Sequence, residues 1–113
     1  MIQKYKQLVE KLQQATDKRA ISWEKTSRAN EYQTMIGNNS ISVQYYEKAD
    51  FVIDLENKTH VSLLLWKDGT NIDEVRADMG ETDYITLQKL YDSARRSCMR
   101  VDETLDDILS QLG

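Results

Sequence analysis

Proline is absent from the 113-residue sequence, and cysteine and histidine occur once each, as Cys98 and His60. A single cysteine excludes an intramolecular disulfide framework. One histidine leaves a zinc site short of its usual ligands and offers a general base without an obvious positioned partner. The four glycines are isolated, so the sequence has no glycine-rich phosphate loop. We therefore expect a non-enzymatic protein with no catalytic residues, no metal site and no cofactor.

Long apolar runs are also missing, since none approaches the roughly 20 residues that span a bilayer. The N-terminus has no apolar signal region. With the single cysteine, these absences predict a cytoplasmic protein without a membrane segment.

Charge is unevenly distributed along the chain. Residues 1–30 carry seven Lys or Arg against three acids, whereas residues 31–113 carry eight against sixteen. The basic residues are spread over two predicted elements and a loop without a compact cluster, so nucleic-acid binding is not expected.

Two segments have helical spacing of their apolar residues. The first predicts an amphipathic helix over residues 2–17. The second runs from Leu87 to Leu112 in steps of four and three residues, includes Cys98 as a small core residue, and predicts a long helix over residues 83–112.

The last third of this second predicted helix carries four acids, which are expected to face water: Asp102, Glu103, Asp106 and Asp107. The helix dipole disfavours acids near the end of a helix and favours them at its start, as would be the case if a second helix began after a break near Arg100. Because the apolar spacing continues through that point without a shift, we expect one helix. Whether it is continuous or broken near Arg100 is left open.

Between the helices, apolar residues alternate with polar ones in five short segments, as in strands. The positions that share one face are Ile21 and Trp23; Tyr32, Thr34 and Ile36; Ile41, Val43 and Tyr45; Phe51, Ile53 and Leu55; and Val61, Leu63 and Leu65. Residues 37–40 and the Asp68-Gly69 pair predict tight hairpin turns, and residues 70–76 are expected to add a weaker last strand. The predicted fold is α+β, in one domain over residues 1–113. It has a single antiparallel meander of five or six strands within residues 20–76, with both helices packed on this face.

The segments ATDKRAISWEKT after the first helix, and LYDSARR and DETLDDILSQL in the last, resemble those of small uncharacterised bacterial or phage-borne proteins of similar length. The resemblance covers most of the chain. It implies the same helix, meander, helix architecture and no particular activity.

The opposite face of the predicted sheet carries apolar and aromatic residues where a solvated face should be polar. These residues are Met35, Tyr46, Val52, His60, Leu64 and Trp66. They would form a patch of a few hundred Å², a size at which partner binding becomes a serious explanation, and Trp and Tyr are common interface anchors. The alternative is that residues 70–80 fold back and cover Leu64 and Trp66. Our first hypothesis is a protein-interaction or regulatory factor that binds a protein partner, or itself as a homo-oligomer, through this outer sheet face.

A second hypothesis is a small-molecule or nucleotide-binding domain with a pocket between helices and sheet. Its lining would be Trp23, Tyr32, Tyr45 and Tyr91, and its anion partners Arg95, Arg96 and Arg100. The simpler interpretation makes the aromatics core residues. It also pairs the arginines within the helix, since Asp92 precedes Arg95 and Arg96 by three and four residues.

Overall fold

The computed structural model describes residues 1–49 and 58–113. In these ranges the chain forms helix α1 (Gln3–Asp17), strands β1 (Glu24–Lys25), β2 (Glu31–Ile36), β3 (Asn39–Tyr46), β4 (His60–Lys67) and β5 (Thr70–Asp78), and helices α2 (Thr82–Met99) and α3 (Val101–Leu112). The strands make one antiparallel sheet in chain order. The predicted α+β fold with a meander sheet is confirmed. The strand expected around Phe51, Ile53 and Leu55 lies outside the described residues, and β3 pairs directly with β4.

Two tight turns set the register of the sheet. Ile36 pairs with Asn39 across a two-residue turn in which Gly37 has a φ of 64°. Asp68 and Gly69 both have positive φ, 50° and 78°, as a two-residue hairpin turn requires when its twist matches that of the strands. Both predicted hairpins are therefore present.

The hydrophobic core lies between the sheet and helices α1 and α2, because every second residue of the central strands faces the helices. Its buried members include Val9 and Leu12 of α1, Ile41 and Val43 of β3, Val61 and Leu63 of β4, and Leu87, Leu90 and Ala94 of α2. Cys98 packs against this cluster, as predicted.

Residues 70–78 form the edge strand β5 beside β4, so they do not fold over the outer sheet face. Val75 packs against the core, whereas Ile72 and Met79 are exposed. Strand β5 is also longer than the weak strand expected over residues 70–76, because its backbone pairs along the whole length of β4.

The prediction of one helix over residues 83–112 is wrong. Arg100 adopts the left-handed conformation, with φ 53° and ψ 46°, ending α2 and starting α3. Asp102 and Glu103 therefore stand in the first turn of α3, where the helix dipole favours acids. Asp102 also accepts a hydrogen bond from Arg96, at 3.1 Å. Of these two C-terminal helices, α2 packs on the sheet, whereas α3 has no buried residue.

Candidate interaction surfaces

The candidate residues on the outer sheet face occupy two separate ends of the sheet. Met35 and Trp66 lie in one row on either side of Ser40, while Tyr46 and His60 form the row at the other end, with their rings stacked at 5.1 Å between centroids. The rows between them are mainly polar and contain Glu31, Gln33, Ser42, Gln44 and Ser62. Val52 lies outside the described residues. The five candidates that are described do not form one continuous apolar patch.

Leu64 and Trp66 are also less accessible than a binding anchor should be. Leu64 is buried. The indole Nε1 of Trp66 donates a hydrogen bond to Ser42 Oγ at 2.9 Å, and the Arg28 guanidinium lies 5.4 Å from the ring centroid, within range of a cation–π contact. The cover over Trp66 therefore includes the loop before β2, which the sequence pattern did not reveal.

That loop is held by a cluster around Glu31, whose side chain is 3% exposed. The Glu31 carboxylate accepts hydrogen bonds from Thr26 Oγ1 at 2.5 Å, Arg28 Nε at 3.2 Å, Arg28 Nη2 at 2.6 Å and Ser42 Oγ at 3.3 Å. We call Thr26, Arg28, Glu31 and Ser42 the Glu31 cluster. In the sequence its only signal is an acid on the outer face at the start of a strand, with an arginine three residues earlier.

The electrostatics of the Glu31 cluster are those of a matched ion pair. Burial acts to raise the pKa of the Glu31 carboxyl, but the hydrogen bonds from Arg28, Thr26 and Ser42 outweigh it and hold the pKa below its ordinary value. The hydrogen bond to Glu31 is the main cause of the raised pKa of Arg28. Both groups are therefore charged at neutral pH, and each engages the other, so the cluster fixes the loop on the sheet.

The four aromatic residues proposed to line a pocket pack in the core. The ring of Tyr91 lies 5.7 Å from that of Tyr32 and 5.5 Å from that of Tyr45, between centroids. Trp23 is buried and donates from Nε1 to Thr16 Oγ1 at 2.9 Å. Burial raises the pKa values of Tyr45 and Tyr91. The rings contact one another, and this favours the core interpretation of the set.

The candidate anion partners are engaged at the helix surface. Arg95 binds Asp92 at 3.0 Å, which is the predicted pairing within the helix and the main cause of the raised pKa of Arg95. Arg96 instead binds Asp102 across the α2–α3 junction, and Arg100 forms that junction. Within residues 1–49 and 58–113, none of these three arginines forms a hydrogen bond or ion pair with the four aromatic residues.

Helix α3 presents an apolar surface that the rest of the described chain does not bury. We call it the α3 face: Val101, Leu105, Ile108, Leu109 and Leu112. Four of its members are strongly exposed: Leu105 and Ile108 at 49%, Leu109 at 64% and Leu112 at 80%. In the sequence these residues continue the core stripe of α2, and for that reason they were expected to be buried.

A groove runs between α1 and α2. We call it the α1–α2 groove, with a volume of about 450 Å³ and a lining that includes Met1, Lys6, Val9, Gln13, Ile85 and Lys89. Val9 is buried, whereas Ile85 is 73% exposed. The sequence analysis did not identify this groove, because it depends on how two distant helices pack side by side.

Two features are absent from residues 1–49 and 58–113. No group of three or more His, Cys, Asp or Glu side chains is arranged there to hold a metal ion. Among the helices of the described part of the chain, none has the length and apolar character needed to cross a membrane.

The fold and these surfaces define an α+β protein with a meander sheet, two packed helices and one unpacked amphipathic helix. No protein-family model, curated protein or solved structure matches the chain.

Proposed function

We propose that this protein is a non-enzymatic interaction protein that binds a partner protein by inserting the α3 face into a groove. The observation that carries the proposal is the exposure of four large apolar side chains on one face of a single helix. Scattered exposed apolar residues are ordinary on protein surfaces, but a contiguous set is a common mark of a binding site.

The spacing of the exposed residues supports a helix-in-groove contact. Leu105, Ile108, Leu109 and Leu112 stand at relative positions i, i+3, i+4 and i+7. This is the anchor pattern with which amphipathic helices occupy apolar grooves, because it aligns four side chains along about two turns.

Charge indicates the chemistry of the partner. Four acids and no basic residue lie between Val101 and Leu112. By helical geometry Asp106 borders the α3 face, whereas Asp107 points away from it. A groove with lysine or arginine on its border would complement this helix.

The outer sheet face supports the same function less well. Leu64 is buried, and Trp66 is engaged by Ser42 and Arg28. Met35 and the Tyr46–His60 pair are separated by polar rows. An interface on that face stays a prediction, and the proposal is built on α3.

Photo-crosslinking in cells that naturally produce the protein tests the proposal. A photoreactive phenylalanine analogue at position 108, on the α3 face, should give a discrete adduct that is lost when Leu105→Gln is added. The matched control carries the same group at position 107, on the opposite side of the helix. Equal adducts at 107 and 108, or none at either, would contradict binding through the α3 face.

A further inference from the structure

We infer that the groove that receives α3 is the α1–α2 groove of a second copy of this chain, so that two copies exchange their C-terminal helices. This inference rests on the proposed function of α3 and names its partner. It is carried by the match between two surfaces of one molecule, in length, in apolar character and in charge.

The lengths correspond. The α1 wall of the groove extends from Lys6 to Gln14, which is about 12 Å of helix at 1.5 Å per residue. The anchors of α3 extend from Leu105 to Leu112, which is about 11 Å by the same measure. An α3 helix lying along the groove can therefore place all four anchors within it.

The apolar surfaces also correspond. Ile85 is an isoleucine on α2 that is 73% exposed, although it borders a groove with buried Val9 in its lining. Met1 and Val9 complete the apolar part of the lining, but both pack against the core, so Ile85 is the exposed apolar side chain that the groove offers to a partner. The leucine and isoleucine side chains of α3 are typical of helices that bind in apolar grooves.

The charges are complementary. Lys6 and Lys89 border the groove, and neither ammonium forms an ion pair within the described ranges. The acid Asp83 at one end is neutralised by the amino group of Met1 at 2.8 Å, leaving Glu10 as the groove's other acid. On α3, Asp106 borders the anchors and likewise has no ion pair with described residues, so it is available to a lysine of the partner.

Exchange between two copies also gives the contact an adequate size. One short helix in one groove buries on the order of 600 Å², below the roughly 1,200–2,000 Å² of stable, specific interfaces. Two such contacts related by a twofold axis reach the lower end of that range, and the symmetry closes the assembly as a dimer.

Sedimentation velocity on the purified full chain, from about 5 to 500 μM, tests the inference with two variants. The face variant carries Leu105→Gln and Ile108→Gln, and the groove variant carries Ile85→Glu. All three positions are exposed, so the fold should persist. Matched controls are Asp107→Asn on the far side of α3 and Gln88→Glu on α2, which does not line the groove. We expect a wild-type dimer, unchanged controls, and a dissociation constant at least tenfold higher for each variant alone.

Mixing the two variants provides the decisive measurement. The groove variant keeps an intact α3, and the face variant keeps an intact groove, so the mixture should associate through one remaining contact, more weakly than wild type but more tightly than either variant alone. A groove variant that dimerises as well as wild type would instead mean that α3 pairs with α3, and this would overturn the inference.

A wild-type chain that stays monomeric throughout the concentration range would also overturn it. The crosslinking at position 108 then separates the two failures. An adduct with a different protein leaves the proposed function standing and removes only the second copy as partner. An adduct of twice the chain mass supports both.

Discussion

Replacing Glu31 with glutamine should lower the free energy of unfolding, because the change removes the charge on which the Glu31 cluster is built. The carboxylate accepts two hydrogen bonds from Arg28 and one each from Thr26 and Ser42. A hydrogen bond to a charged group contributes roughly 1.5–3 kcal/mol. The Arg28 side chain is 45% exposed and can be solvated when its partner is lost, so we discount its two bonds. The net loss should be about 2–3 kcal/mol, or roughly 10 °C in Tm for a chain of this size.

The pH dependence supplies a second test with a definite sign. The folded-state pKa of Glu31 is lowered, so its contribution is fully present above the unfolded value near about 4.3 and is lost as the pH falls through the folded value. Glutamine does not titrate. The difference in stability between wild type and Glu31→Gln should therefore be constant from about pH 6 to 8 and shrink below about pH 4.

Urea unfolding followed by tryptophan fluorescence measures both quantities. Glu24→Gln is the matched control, because Glu24 is an exposed acid in β1 and its side chain has no hydrogen bond or ion pair with described residues. A loss below about 0.5 kcal/mol at neutral pH, the range of ordinary surface changes, would refute this account of the cluster. So would a difference that is as large at pH 3 as at pH 7.

Trp66→Ser should lower stability by about 2 kcal/mol, through loss of ring packing and of the Ser42 and Arg28 contacts, without a change in sedimentation; unchanged stability with weakened association would restore the outer sheet face as the interface. Burial and the hydrogen bond to Asp73 raise the pKa of Tyr5 to about 12, so Tyr5→Phe should remove the latest transition in an ultraviolet titration of the folded protein, and an unaltered titration curve would contradict this assignment. Nucleotides and other anions should produce no shift in thermal unfolding, since the aromatic rings of the core pack against one another; a saturable shift would favour the ligand-binding alternative.

The parts of the fold that depend on local pattern were predictable from the sequence. Helix α1 and the hairpin at Asp68-Gly69 rest on spacing and turn chemistry within a few residues. The face of the sheet toward the helices followed from alternation, with Ile36 as an exception: it lies at the end of β2 and is exposed.

The parts that depend on contacts between distant segments were not predictable. A single left-handed residue at Arg100 ends α2 without shifting the apolar spacing, so the stripe that is core in α2 becomes surface in α3. The Arg28 guanidinium contacts the Trp66 ring although the two residues are 38 positions apart in the sequence, and no periodic pattern predicts this contact. The interaction surfaces were hidden for the same reason, since the α1–α2 groove arises from two helices at opposite ends of the chain.

Because α3 has no buried residue, its local stability does not depend on the stability of the core. Amide hydrogens in β3 and β4 should exchange through global unfolding, whereas those of α3 should exchange through local opening at a much lower free energy. A 12-residue helix that buries no residue, and whose ion pairs with Arg19 and Arg96 lie at Asp102 in its first turn, is marginal in water. The apparent affinity of α3 for any groove that binds its helical form is then the intrinsic affinity multiplied by the fraction of α3 that is helical. Ser110→Ala, on the side of α3 away from its apolar residues, should therefore tighten binding about twofold without touching the partner, because alanine favours the helix by a few tenths of a kcal/mol.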